Sequence, residues 1–276
     1  MLKKLKIAIT GHAGFIGSHL AEKLVNMGHD VIGFDNNITS NHFVAGVTNM
    51  NIDLTSGELN FTDVDIVFHL AAIARIPQSF IEPAAYYHNN INSTLNVLEA
   101  CRKYNVKKVI YSSSSSIYDA TNPYAHSKKI GEELCAMYHE LYGIDVQCLR
   151  YFNVYGPRMA FGSYATVLSK FKSNLDSNKP LIIYGTGDQR RDFTHVDDVV
   201  SANILSMGLR GFEVFDVGTG KPYSIFEIAA AFNHPINYES GFVGQAETKA
   251  DMNGMSMVGY NPTHDVIDWI KNDFLC

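Results

Sequence analysis

Tyr124 and Lys128 stand four residues apart in PYAHSKK, a spacing that puts both side chains on one face of a helix. A phenol is a weak base at its ordinary pKa near 10. An ammonium group at about 4 Å is worth about 4 kcal/mol at an effective dielectric of about 20, enough to draw the phenol toward neutral pH and make it a general base. Tyr104 and Lys108 share the spacing, but Tyr104 closes a helical stretch and Lys108 opens a strand, so that pair shares no face. Five consecutive serines, Ser112–Ser116, follow the apolar run at 108–111. A hydroxyl there can bridge a substrate alcohol and the tyrosine; local order does not choose among the five.

A second group handles phosphate. Gly11, Gly14 and Gly17, in Thr10-Gly11-His12-Ala13-Gly14-Phe15-Ile16-Gly17, lie between an apolar run and an amphipathic stretch. Glycines at that spacing tighten the turn, admit a pyrophosphate against bare backbone and let helix and strand approach. The following helix offers unpaired N–H groups and the positive end of its dipole. Asp35 comes eighteen residues after Gly17, at the end of the next apolar run. A carboxylate there accepts from ribose hydroxyls and repels a 2′-phosphate. Asn36 and Asn37 follow it, not an arginine. The expected cofactor is NAD.

The elements that must position these groups are legible as periodicity. Continuous apolar runs at Leu5–Ile9, Asp30–Phe34, Ile66–Leu70, Lys108–Tyr111 and Val146–Leu149 read as buried parallel strands. Helical stretches lie between most of them at Phe15–Met27, Ala84–Tyr104 and Tyr124–Tyr142, the first and last stopping at Gly28 and Gly143. Alternation of this kind predicts a Rossmann-type doubly wound parallel sheet, an α/β fold with right-handed crossovers. After about Tyr155 glycine and proline become more frequent and the elements shorter. The expected division is a cofactor domain of residues 1–155, with parts of 192–217, and a smaller substrate lobe of 156–191 and 218–276.

Composition narrows the class further. The 276 residues are 46% hydrophobic and 18% charged, with net charge −6 and mean hydropathy near zero. A disordered chain, a collagen and a membrane bundle are excluded. So is a nucleic-acid binder working through clustered excess basic charge. Cys101, Cys135, Cys148 and Cys276 share no metal-ligand spacing, and the eleven histidines show no ligand cluster. No metal is expected. The opening MLKKLKIAIT imitates a signal sequence, but its short apolar run enters the glycine loop with no cleavage pattern. It reads as the first strand, and a cytoplasmic protein is expected.

These motifs together resemble the extended short-chain dehydrogenase/reductase family, and within it the NAD-dependent nucleotide-sugar epimerases. TGHAGFIGSHL resembles the opening loop, with Phe15 and Ile16 beside the cofactor. Asp53-Leu54 matches the pair that contacts adenine, and His69-Leu70-Ala71-Ala72 the turn that lines the cofactor through Leu70, Ala71 and Ala72. Asn90, in YYHNNINSTLNVLEA, matches a further cofactor-side asparagine. The family's S-x-x-x-Y element, ending here in Tyr118, selects Ser114 as the catalytic hydroxyl beside Tyr124 and Lys128. LRYFNVYGPR supplies Phe152 toward the nicotinamide and Asn153 toward a substrate diphosphate. The resemblance places Val167, in SYATVLSKF, and Ile183 and Tyr184, in IIYGTGDQRRDFTHVDDVV, against the substrate, with Arg191 on its diphosphate.

The resemblance implies C4 epimerisation of a UDP-hexose through a transient 4-keto sugar. It also implies a homodimer formed through helices 84–104 and 124–142. Sugar dehydratases carry an Asp/Glu pair after the catalytic hydroxyl and decarboxylases a Glu; this chain has Ser115 and Ser116. Two features depart from the family. Ser114 and Tyr124 are only ten residues apart, where relatives carry a longer loop. No arginine follows Arg210, leaving Lys249 as a point charge where relatives often hold a second arginine. The competing readings are another nucleotide-sugar enzyme of the family and a non-catalytic NAD sensor on the same fold.

Overall fold

The computed structural model describes residues 3–39, 41–162, 165–241 and 244–275. Ser163 and Tyr164 of SYATVLSKF, and Cys276, lie outside them. The chain divides into two compact units, 1–150 with 200–215, and 151–199 with 216–276. The boundary thus falls at Arg150 where the sequence suggests 155, and the returning segment is 200–215.

The first unit holds β1 (Lys6–Thr10), α1 (Phe15–Asn26), β2 (Asp30–Asp35), β3 (Val47–Asn51), β4 (Ile66–His69), α2 (Ile76–Ile81), α3 (Pro83–Lys103), β5 (Lys108–Ser114), α4 (Pro123–Tyr142) and β6 (Asp145–Tyr151). A seven-stranded sheet runs in the order β11-β6-β5-β4-β1-β2-β3, where β11 is Phe212–Val217. Strands β3 through β5 pair in parallel. The order reverses between β1 and β4, and the carboxyl ends at such a switch point are where ligands of this fold sit. The core gathers Ala8, Phe34, Val67, Val109, Val146 and Cys148 from the strands with Val97, Leu98 and Cys135 from α3 and α4.

Five of the seven strands are the apolar runs. The two missed ones are edges. β3, VTNMN, buries only Val47 and exposes the rest, so it carries no apolar run. β11 comes from late in the chain, where the elements are short. α2 was missed as well, being six residues with a proline near its start. Helix ends follow from local chemistry. Asn122 caps α4 by accepting from the Ala125 N–H at 2.9 Å, and Gly143 stops it in the left-handed region at φ 67°.

The second unit is built from shorter pieces. These are β7 (Val154–Tyr155), α5 (Val167–Asp176), β8 (Leu181–Tyr184), β9 (Arg190–Asp192), β10 (Thr194–His195), β12 (Pro222–Ser224), α7 (Ile225–Ala231), β13 (Ile236–Glu239) and β14 (Glu247–Thr248), while α6 (Val196–Ser206) starts in this unit and continues into the returning segment of the first. They make a three-stranded sheet β12-β9-β14 and the pairs β10-β7 and β13-β8. Buried Asp192 organises the turn in FDVGTG. Its carboxylate accepts from Thr219 N–H at 2.9 Å, Gly220 N–H at 2.8 Å and Ala250 N–H at 3.1 Å. A Cβ on Gly218 would stand 2.8 Å from that carboxylate, which is why glycine is required there. No helix among the described residues is long and apolar enough to cross a membrane.

Candidate active site

The glycine loop joins β1 to α1. Gly11 has φ 73°, and its N–H donates to Phe34 O at 2.8 Å. A side chain there would meet Ala71 N at 2.8 Å, and one on Gly17 would meet Gly11 O at 2.1 Å. Gly14 caps α1 with no side-chain hydrogen bond, so the first-turn N–H groups are left to whatever occupies the loop. This bare cradle fits a pyrophosphate. Asp35 ties the loop together: Oδ2 accepts from Ala13 N–H at 3.1 Å, and Oδ1 from Asn37 N–H at 2.9 Å. Asn36 Oδ1 accepts from Ile38 N–H at 3.3 Å. Asp53 accepts from both the N–H and the hydroxyl of Thr55 at 2.8 Å, which lowers its pKa. Leu54 is buried behind it.

His12, an unassigned position within the loop, is a tie that the sequence reading missed. Its Nε2–H donates to Asn49 Oδ1 at 2.6 Å on β3. The ring lies where a Cβ on Gly33 would be, 2.2 Å from that position. A glycine inside a buried strand was the available signal.

At the switch point, Thr10 and His69 bond at 2.7 Å, and His69 Nε2 meets Thr94 Oγ1 at 3.0 Å. The Thr94 hydroxyl donates to Asn90 O at 2.7 Å, so it accepts from His69. The imidazole is therefore the Nε2–H tautomer, accepting from Thr10 at Nδ1. Burial and the nearby Lys128 charge push its pKa down to about 3. Thr10 Oγ1 in turn accepts from Ala71 N–H at 3.3 Å, which fixes the Leu70-Ala71-Ala72 turn. Asn90 is buried with its amide engaged: Oδ1 accepts from Ile73 N–H at 2.9 Å, while Nδ2 donates to Ile73 O at 3.1 Å and Ser127 Oγ at 2.9 Å. It braces this turn against α4.

β5 and α4 bring Ser114, Tyr124 and Lys128 together. Ser114 ends β5, and its hydroxyl accepts from the N–H of Ser116 at 3.2 Å and its hydroxyl at 2.9 Å, while favouring the ionised form of Tyr124. The Tyr124 ring packs edge-on against buried Tyr86, centroids 6.2 Å apart. Lys128 is buried, donates to Ser112 O at 2.6 Å and lies 4.9 Å over the Tyr111 ring. Burial draws its pKa down to about 8. A Cβ on Gly131 would stand 2.0 Å from the Tyr111 hydroxyl, so that glycine admits the ring beneath the lysine.

The electrostatics correct one expectation. Burial raises the Tyr124 pKa, and the groups that oppose this are Ser114 and Arg75, with Lys128 not among them. The Lys128 ammonium is turned to the Ser112 carbonyl and the Tyr111 ring. Arg75, at the start of α2, is a cation whose charge favours the Tyr124 phenolate and which no motif in the sequence marks.

In the second unit the residues expected at the substrate separate. Phe152 is buried, its N–H donating to Val217 O at 3.1 Å. Asn153 has φ 32° and donates to Asp192 O at 2.8 Å. Val167 opens α5, half-buried after the Thr166 cap. Ile183 and Tyr184 are consecutive on β8 and so face opposite ways: Ile183 is 0% exposed and Tyr184 39%. Ile183 is therefore a core residue, and Tyr184 is what this strand presents. Arg191 is half-buried on β9, its pKa lowered by burial. It stands in register with Thr248 on β14, whose hydroxyl is buried without a hydrogen-bond partner. Lys249 lines an open depression with Thr219, Gly220 and Asp251.

A three-residue cluster unseen in the sequence lies here too. Ligand-type atoms of His195, Asp197 and His264 fall within 4.8 Å of one another. The His195 and His264 rings stack at 4.1 Å, and His264 Nδ1 meets Asp198 Oδ2 at 3.1 Å. The Asp197 N–H donates to His195 Nδ1 at 3.2 Å.

Residues 7–218 match the model of the NAD dependent epimerase/dehydratase family. A UDP-N-acetyl-α-D-glucosaminuronate decarboxylase of Bacillus cytotoxicus is 35% identical over 86% of this chain and 82% of its own. The structure of a UDP-N-acetylglucosamine 4-epimerase from Methanobrevibacter ruminantium M1, in complex with UDP-N-acetylmuramic acid, superposes with a TM-score of 0.90 at 32% identity. It covers 98% of this chain and 97% of that one. The UDP-glucuronic acid 4-epimerase of Bacillus cereus, in complex with UDP-glucuronic acid and NAD, gives 0.88 at 30% identity and 98% of both chains. With the glycine cradle, Asp35 and the Ser114–Tyr124–Lys128 set on one Rossmann sheet, the chain belongs to the extended short-chain dehydrogenase/reductase family of NAD-dependent nucleotide-sugar epimerases and dehydratases, and its cofactor is NAD.

Proposed function

We propose that the protein epimerises a UDP-linked hexose at C4, acting on UDP-glucose and UDP-galactose or their 2-acetamido analogues. One observation carries this reading. Ser114 ends the strand β5, Tyr124 and Lys128 stand one helical turn apart on α4, and Ser115 and Ser116 follow where elimination or decarboxylation needs an acid. Gly11, Gly14, Gly17, Asp35 and Lys128 would hold NAD, which when bound accepts a hydride from the sugar and returns it. Ser114 orients the sugar 4-hydroxyl. Tyr124 removes its proton and, after the 4-keto sugar has turned over, gives the proton back. Arg75 places positive charge near the developing phenolate. Arg191 supplies a fork for the diphosphate, with the Thr248 hydroxyl in register beside it.

The test is to incubate the NAD-loaded protein with UDP-galactose, UDP-N-acetylglucosamine, UDP-glucuronate and dTDP-glucose. Products are resolved by chromatography and mass. Interconversion of C4 epimers at unchanged mass is expected. Loss of water or carbon dioxide would overturn the reading in favour of another enzyme of the family. Thermal stabilisation by NAD with no turnover of any sugar nucleotide would favour a sensor.

A homodimer through α3 and α4 is part of the proposal. The two helices pack on each other and still expose Leu95, Met137, Leu141 and Tyr142, more apolar surface than a monomer's helix pair needs. Light scattering should give twice the chain mass, and Met137→Glu with Leu141→Glu should halve it. The buried free thiols of Cys101, Cys135 and Cys148 support a reducing, cytoplasmic setting.

A further inference from the structure

The spacing that joins Tyr124 to Lys128 continues one turn further, to Glu132. Glu132 is buried, and both of its carboxylate oxygens are engaged. Oε1 accepts from Ser113 Oγ at 2.6 Å and Arg150 Nε at 3.0 Å, and Oε2 accepts from Arg150 Nη2 at 2.8 Å. Arg150 lies on β6. Its remaining arm donates from Nη1 to the Tyr118 hydroxyl at 3.0 Å, and its guanidinium lies 4.9 Å from the centre of the Tyr118 ring. Ser113 immediately precedes Ser114, and Tyr118 belongs to the turn that follows it. One ion pair therefore touches the strand bearing the serine, the helix bearing the tyrosine and lysine, and the short connection between them.

A buried ion pair is a poor device for stability alone, because apolar side chains of the same volume often hold two elements together as well or better. What a bidentate fork adds is fixed geometry. That geometry matters where only nine residues, 115–123, join Ser114 to Tyr124.

We propose that Glu132 and Arg150 are positioning residues for the reaction, clamping Ser113 and Tyr118 so that Ser114 and the Ser115–Asp119 turn stay in register with Tyr124 and Lys128. This rests on the reading of Ser114, Tyr124 and Lys128 as the reacting set. The charge of Glu132 has a second effect, since it favours the protonated form of Lys128 against burial. Lys128 is faced by Glu132 and Cys135 from its own helix, by the Tyr111 ring and Ser112 carbonyl from β5, by His69 from β4 and by Cys148 from β6. Glu132 is the one carboxylate of that set. Burial keeps the Cys148 thiol and the His69 ring neutral.

The test compares Glu132→Gln, Arg150→Lys and Tyr118→Phe in the NAD-loaded protein. Glu132→Gln should lower kcat about tenfold to a hundredfold with KM nearly unchanged, the scale of a displaced catalytic group. It should also move the basic limb of the pH profile to lower pH. Arg150→Lys should lower kcat and leave that limb in place, and Glu132→Asp should recover part of the loss. Tyr118→Phe removes a single hydroxyl on an exposed ring, which leaves folding intact, and should cost kcat about threefold. An NMR titration of 13C-labelled lysine reads Lys128 whatever sugar is used, and Glu132→Gln should make it titrate at lower pH. Wild-type kcat in Tyr118→Phe together with an unmoved Lys128 titration in Glu132→Gln would overturn the proposal, as would a kcat loss that follows only a lowered Tm. If none of the sugar nucleotides turns over, the epimerase reading fails, and the lysine titration still decides this one.

Discussion

The residues proposed to hold the cofactor in the first unit and those proposed for the substrate in the second are built differently. Gly11, Gly17, Ala71 and Asp35 form a site made largely of backbone, in which loop, strand and helix approach to within a Cβ of collision. Tyr184, Arg191 and Thr248, proposed for the substrate, are side chains on strands of two to four residues. A backbone site leaves its mark in the sequence as glycine, because no other residue fits. A side-chain site on short strands leaves almost none, because a shift of one residue exchanges the face that points to ligand for the face that points to core.

Gly17→Ala breaks the first kind most completely. Its Cβ would fall 2.1 Å from a carbonyl oxygen of the loop, and backbone cannot swing aside as a flexible side chain can. Loss of NAD binding is expected, read as disappearance of the NAD-dependent rise in Tm. A variant that keeps NAD affinity within a few-fold of wild type would show that the helix can retreat from the loop.

Tyr124→Phe separates binding from chemistry in the same unit. NAD affinity should stay within about twofold, while kcat falls by about 10²–10⁴, the range of a lost general base. Because burial raises the Tyr124 pKa, the basic form has to be favoured by neighbouring charge. Arg75→Ala should accordingly reduce kcat as well and move its acid limb to higher pH.

The buried network behind the site has its own pH signature. His69 has a folded pKa of about 3 against an ordinary value near 6.5. Between these values the unfolded chain binds a proton that the folded one does not, so stability rises with pH across the window and is lost as pH falls from 6.5. The loss is about 2 kcal/mol by pH 5, at about 1.4 kcal/mol per unit. Urea midpoints at pH 7.5, 6 and 5 should show it, and His69→Gln should flatten the dependence. A wild-type midpoint that does not change from 6.5 to 5 would show that the ring protonates without unfolding.

The first unit was legible because its elements announce themselves twice, as apolar runs and as the stops between them. β3 escaped because a partly exposed edge strand such as Val47–Asn51 has no apolar run, and β11 because its partner β6 lies some sixty residues earlier in the chain. Among the site residues, Tyr124 and Lys128 came from spacing and Ser114 from resemblance. Arg75, His12 and the Glu132–Arg150 pair came from neither, since each acts across a fold that brings distant segments together. Asp192 shows the same limit. It is one of 28 acidic residues in the sequence, and its role as the centre of the Thr219–Gly220 turn exists only in three dimensions.

The second unit invites a finer break. Arg191→Lys keeps the charge and removes the fork, so KM for a nucleotide sugar should rise about tenfold with kcat nearly unchanged. The face parity of β8 gives the smallest effects and the sharpest contrast. Ile183 is 0% exposed and Tyr184 39%. Ile183→Val, the loss of one buried methyl group, should cost about 0.5–1.5 kcal/mol of stability and leave KM where it was. Tyr184→Ala should leave Tm nearly unchanged and raise KM severalfold, because an exposed aromatic ring offers a base or sugar face more than it offers the core. If instead Ile183→Val raises KM and Tyr184→Ala does not, the strand presents its other face when substrate arrives, and register, not side-chain identity, decides what the second unit binds.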